Sequence, residues 1–201
     1  MGLMEPGRPT LKERQWQLRE DAILDASSEL MGSKGYTAMT MDDVANLVGI
    51  SKATLYQHFP SKHDLVVSVA CRTIDRAYER MSAIDPTLPA KERVSLLIDT
   101  LVHVRYGPDS PPVIEAVGEL VEVLGSDHPY MQKERRNREF ILEVLRDAEK
   151  AKATIPGLSV EVAVHVVIGA LRCIEMERVV GEGRLGPGMI ADSIKRMLLR
   201  Y

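Results

Sequence analysis

Apolar residues recur along this chain every three or four positions and almost never alternate, a periodicity that predicts helices rather than strands. Leu18, Ala22, Ile23, Ala26, Leu30 and Met31 form the stripe of a helix over residues 14–33, which Gly35 ends. Thr40 and Asp43 have the spacing of a helix N-cap and its acidic partner at the third helical position. Val44, Leu47 and Val48 then follow at helical spacing, and Ala45 is small enough for another helix to cross nearby. Gly49 supplies the left-handed backbone that stops this helix. Ser51 caps the next one, which carries Leu55 and Phe59 inward at i and i+4. Ser61 caps a longer helix over 61–81, where Leu65, Val66, Val69, Ile74 and Tyr78 are spread widely around the axis.

Beyond Asp85-Pro86 and Leu88-Pro89, further helices are expected over 90–106, 112–124, 129–152, 160–182 and 187–199. The breaks between them, GPDSPP, GSDHP, TIPGLS and GRLGPG, each hold Gly or Pro. The predicted fold is all-α. A three-helix head with a helix-turn-helix occupies 14–62, and a long helix joins it to a helical body over 63–201. A shift of that long helix would change the angle of the head. Residues 1–12 hold two prolines, two glycines, Arg8 and Lys12, and Arg14 and Arg19 follow. They are either a solvated tail or an arm tracking a DNA backbone.

The second helix of the turn gives the pattern its chemistry. With Leu55 and Phe59 inward, Lys52, Ala53, Thr54, Tyr56 and His58 are left outward, suited to phosphates and base edges. Lys62 sits in the first turn of its helix, where the dipole disfavours a cation unless an anion binds there too. Thr40 and Lys62 complete the set of expected DNA contacts. The stretches GY-TAMT (residues 35–40), DDVANLVGISKATLYQHF and PSKHDL resemble the TetR family of bacterial transcriptional regulators, across the first third of the chain and without a gap inside the motif.

Composition agrees with helices. Aromatic residues make up 4% of the 201, and Leu, Val, Ala, Met, Glu and Arg are abundant. A net charge of −3 gives no global attraction to nucleic acid, so a basic surface must be local. The two cysteines, Cys71 and Cys173, read as small apolar residues rather than a disulfide. No apolar run approaches a membrane span and no signal-peptide core is present, so a cytoplasmic protein is expected. The charged run QKERRNRE, with alternating signs, reads as a solvated helix face.

The resemblance implies a ligand-responsive transcriptional repressor, a homodimer whose last two helices pair with their symmetry mates and which a small molecule displaces from a double-stranded DNA operator, the small-molecule partner being an inducer or co-repressor. The nearly all-apolar helix VEVAVHVVIGALRCIEMERVV and the amphipathic last helix would supply the interface. The expected positions are Val167, Ala170, Leu171, Ile174, Ile190, Ile194 and Met197. By position, His103, Tyr106, Glu119, Arg172 and Met176 are expected around an effector pocket. No His or Cys pair has zinc spacing, and no phosphate loop or nucleophile elbow occurs, so no metal, cofactor or enzymatic activity is expected. The competing class is an all-helical enzyme or interaction module without DNA binding. That class leaves the outward residues of the turn unexplained.

Overall fold

Thr10 opens the first helix as its cap, its hydroxyl accepting from the Glu13 amide while the Glu13 carboxylate accepts from the Thr10 amide. The computed structural model describes residues 10–107 and 124–200, except the side chain of Ile174, and the described residues form nine helices. They are α1 (Leu11–Ala38), α2 (Met41–Val48), α3 (Lys52–His58), α4 (Lys62–Ser82), α5 (Ala90–Tyr106), α6 (Pro129–Lys150), α7 (Val160–Leu171), α8 (Ile174–Gly181) and α9 (Pro187–Leu198). The expected helix over 112–124 falls outside the described residues save for its last position, and so do Glu119 and Arg8.

The chain divides into two compact units, Met1–Val69 and Ala70–Tyr201, with α4 passing from one to the other. The first unit closes at Val69 rather than at residue 62, and Leu65, Val66 and Val69, in the opening turns of α4, are buried. In this unit α1 packs on α2 and α2 on α3. Its buried residues include Ile23, Leu24, Ala26 and Met31 of α1, Val44 and Ala45 of α2, Leu55 of α3, and Phe59. The buried Ser27 hydroxyl donates back to the Ile23 carbonyl at 2.7 Å, which satisfies it locally. Leu18, expected in the inward stripe, is 70% exposed, and Leu47 and Ala22 are exposed as well. The inward face of α1 is centred on Ile23, Ala26 and Met31, so Leu18 falls beyond its end. Gly35 interrupts α1 with φ +79°, a conformation that costs a residue with a Cβ.

In the second unit α5 is the central element, in contact with α6, α7 and α9. Val94, Leu97, Ile98, Leu101 and Val102 of α5 share one core with Ile141, Val144 and Leu145 of α6, Val160, Val164 and Val167 of α7, and Ile190 and Ile194 of α9. The helix expected over 160–182 is broken at Arg172–Cys173 into α7 and α8. A single antiparallel bridge between Thr154 and Leu199 pins the chain's end beside the α6–α7 connection. The charged run of α6 has an exposed face, Gln132, Arg135, Arg138 and Glu139, and a second face that finds partners within the unit. Lys133 and Arg136 both reach Asp75, at 2.5 and 3.0 Å, and Asn137 donates to the Ile74 carbonyl at 2.9 Å. The Arg136 guanidinium also lies 3.9 Å from the Tyr78 ring centroid of α4, so this side of the run is paired within the unit.

Candidate nucleic-acid interface

The turn is built from its caps. Thr40 begins α2, its hydroxyl donating to Asp43 at 2.6 Å and accepting the Asp43 amide at 3.1 Å, while the Asp43 carboxylate accepts the Thr40 amide at 2.8 Å. Asp43 also pairs with Lys34 at 2.6 Å, and hydrogen bonds from Lys34 and then Thr40 lower its carboxyl to a pKa of about 2. Gly49 ends α2 at φ +76°, and its amide bonds back to the carbonyls of Ala45 and Asn46. Ser51 then caps α3, accepting the Thr54 amide at 3.1 Å. Leu55, fully buried, is the pin that seats α3 in the head.

Seated in this way, α3 exposes Lys52, Ala53, Tyr56 and Gln57. Gln57 was not among the sequence expectations, although it lies beside Tyr56 and has an amide suited to a base edge. Tyr56 is 41% exposed, so its ring and hydroxyl are open to a partner. Thr54 is half-buried and its hydroxyl is 2.8 Å from that of Ser51, so it completes the cap. The Thr40 hydroxyl is likewise committed to its capping box. His58 departs from the outward set: its ring stacks on Trp16 of α1 at 3.7 Å, and both ring nitrogens are buried without a hydrogen-bond partner. Burial lowers its pKa, so the ring is a neutral packing group between α1 and α3.

Two lysines flank α3. Lys52 sits in its first turn and its ammonium lies between the two carboxylate oxygens of Asp42, at 2.8 and 3.0 Å. Lys62 opens α4, with its ammonium 4.2 Å from the Tyr36 ring centroid and donating to the Thr37 carbonyl at 3.4 Å. Partial burial lowers the Lys62 pKa. The Ser61 hydroxyl caps α4 by accepting the Asp64 amide at 3.1 Å. The result is an exposed short helix set across a second one by a glycine turn, with a cation near each end. Residues 23–69 match the family model described as bacterial regulatory proteins, tetR family.

Over these residues the chain is similar to the TetR family.

Relatives place the match in the head and the fold across the whole chain. The transcriptional activator FasR of Mycolicibacterium smegmatis is 44% identical over 57 residues, 28% of this chain and 26% of FasR. The chain thus matches about a quarter of that relative's length. The regulator UidR of Escherichia coli K12 is 24% identical over 178 residues, 84% of this chain and 88% of UidR. The solved structure of AibR in complex with isovaleryl coenzyme A and operator DNA superposes with a TM-score of 0.71 at 21% identity, over 90% of this chain and 98% of AibR.

The expected effector residues that the structure describes do not all line one cleft. His103 is exposed and lines a cleft of about 420 Å³ with Arg80, Asp99, Thr100, Val102, Pro187, Gly188 and Ala191. Tyr106 and Arg172 lie instead at the α7–α8 break, and Met176 packs on the body core from α8. The Tyr106 hydroxyl donates to the Ala170 carbonyl at 3.0 Å, and burial raises its pKa. Arg105 donates to the Leu171 carbonyl at 2.9 Å and to Glu177 at 2.6 Å. Arg172 pairs with Glu134, which also accepts the Tyr130 hydroxyl at 3.0 Å. The Arg105–Glu177 pair was missed because no local spacing joins the two residues, whereas Tyr130 and Glu134 stand at i and i+4 of α6, a spacing that could have found them.

The expected dimer positions divide in the same way. Val167, Leu171, Ile190 and Ile194 are buried in their own protomer's core, so they are not free to form an interface. Ala170 is half-buried. Among the described side chains of the set, Met197 stands out, 54% exposed. The apolar residues left exposed on α7 and α9 are Val162, Val166, Met189 and Met197, each pair at i and i+4 or i and i+8. Gly169, one helical step beyond Val166, has open space where a Cβ would be. The α7 helix is apolar on two faces, and sequence spacing marks out both without telling which one the body covers.

Proposed function

We propose that this protein is a dimeric, ligand-responsive DNA-binding transcriptional regulator, acting as a repressor that a small molecule releases from its operator. The observation that carries the reading is α3, which offers Lys52, Ala53, Tyr56 and Gln57 to solvent from a helix pinned by Leu55. A recognition helix needs such an outward row, and a helix serving only the core does not. Homodimerisation is supported by the apolar residues exposed on α7, Val162 and Val166, and on α9, Met189 and Met197, since two heads reading two half-sites require a fixed spacing. Occupancy of DNA is enough for repression, which is the simplest output of such a protein.

Release follows from linkage: an effector that binds the DNA-free form better weakens DNA binding by the same factor. The expected domains serve this division, the head reading DNA and the body binding effector and partner. By the fold it shares with AibR, isovaleryl coenzyme A is the first effector to try. Selection of bound duplexes from a random pool tests the reading, with enrichment of a two-fold symmetric sequence expected. A helical enzyme or a protein-interaction module predicts no retardation of any duplex, even at low salt. A reporter gene behind the selected sequence gives the sign of regulation, and rising expression on induction of the protein would overturn repression.

A further inference from the structure

Lys52 is the one lysine or arginine of α3, and it is held by a carboxylate. Between Thr10 and Val69 the chain has eight aspartates and glutamates against six lysines and arginines, so the head has no excess positive charge to draw in a duplex. Asp42 takes up the cation best placed to meet a phosphate. Both side chains are 58% exposed, and exposed pairs contribute little to stability. A pair that adds so little to the fold still fixes where the ammonium goes.

We propose that Asp42 is an internal competitor for the DNA backbone: it holds Lys52 in the free protein, and a phosphate must displace it before α3 can seat. The inference rests on the DNA-binding reading given above. When Lys52 moves to a phosphate, the Asp42 carboxylate is left without its partner, close to a polyanion. It gathers a cation of its own, which cancels one of the counterions that binding releases. Asp42 therefore lowers both the affinity for DNA backbone and the salt dependence, and leaves more of the binding to base contacts.

The test uses the full chain and fluorescence anisotropy with a fluorescein-labelled mixed-sequence duplex, over a series of salt concentrations. Asp42→Asn should bind about three- to fivefold tighter at low salt, with a log–log salt slope steeper by about one. Asp42→Ser should show the same gain, so a folding defect in one variant leaves the measurement intact. Asp42→Glu, which keeps the charge, should restore wild-type behaviour. In a Lys52→Gln background, Asp42→Asn should bring a clearly smaller gain, from repulsion alone. A gain of equal size there would mean simple repulsion and overturn the competition, as would an Asp42→Asn variant that binds no tighter than wild type. If the wild-type chain binds no duplex at low salt, the DNA-binding reading fails and takes the inference with it.

Discussion

Neighbouring residues of α3 have opposite duties, and two substitutions separate them. Leu55 is fully buried, so Leu55→Ala should destabilise the head by about 2–5 kcal/mol and lower its melting temperature. Tyr56 is exposed, so Tyr56→Ala should leave the melting temperature near wild type and weaken binding to a selected duplex. Thermal melting and DNA affinity measured on both variants check the pair. Wild-type affinity in Tyr56→Ala would remove this side chain from the interface. The inward positions of α3 were legible from spacing because Leu55 and Phe59 are the large apolar groups available. The place of His58 was not, since the ring that covers it, Trp16, lies on another helix far back in the chain.

At the scale of the element, α2 is eight residues long and too short to persist without its cap. Thr40→Ala should cost about 1 kcal/mol of head stability, read as a shift in the denaturation midpoint. Asp43 adds a pH dependence of known sign. Its folded pKa of about 2 lies below the ordinary value of 3.8, so its contribution is complete above about pH 4 and is lost as pH falls toward 2. Acid unfolding of Asp43→Asn should therefore be flatter than wild type across that window, and identical limbs would show that the Lys34 and Thr40 contacts do not persist in solution. The capping box, Gly49 and the Ser51 cap were all legible beforehand, because each satisfies backbone groups within four residues of itself.

For the whole molecule the decisive question is which apolar face meets a partner. Val166→Glu places a carboxylate on the exposed row of α7 and should give folded monomers of unchanged helicity that no longer bind a two-fold symmetric duplex. Val167→Glu places it in the protomer's own core and should unfold the body, since an unpaired buried charge costs several kcal/mol. Sedimentation and circular dichroism on the two variants give the answer. A Val166→Glu protein that remains dimeric would place the interface elsewhere.

The sequence by itself determined what is settled over short distances: the helix periods, the caps and turns of the head, and a TetR-type motif whose residues are nearly contiguous. Such features depend on hydrogen bonds and steric limits between residues a few positions apart. Only the tertiary structure decided which face of α7 the body covers, that Lys133 and Arg136 of α6 are paired with Asp75, and that Arg105, Arg172 and their carboxylates gather at the α7–α8 break. Those outcomes depend on the return of distant segments, as where Arg105 meets Glu177, and local periodicity holds no record of it. An apolar residue states that it will be buried if it can be; the neighbours that bury it come from elsewhere in the chain, or from a second copy.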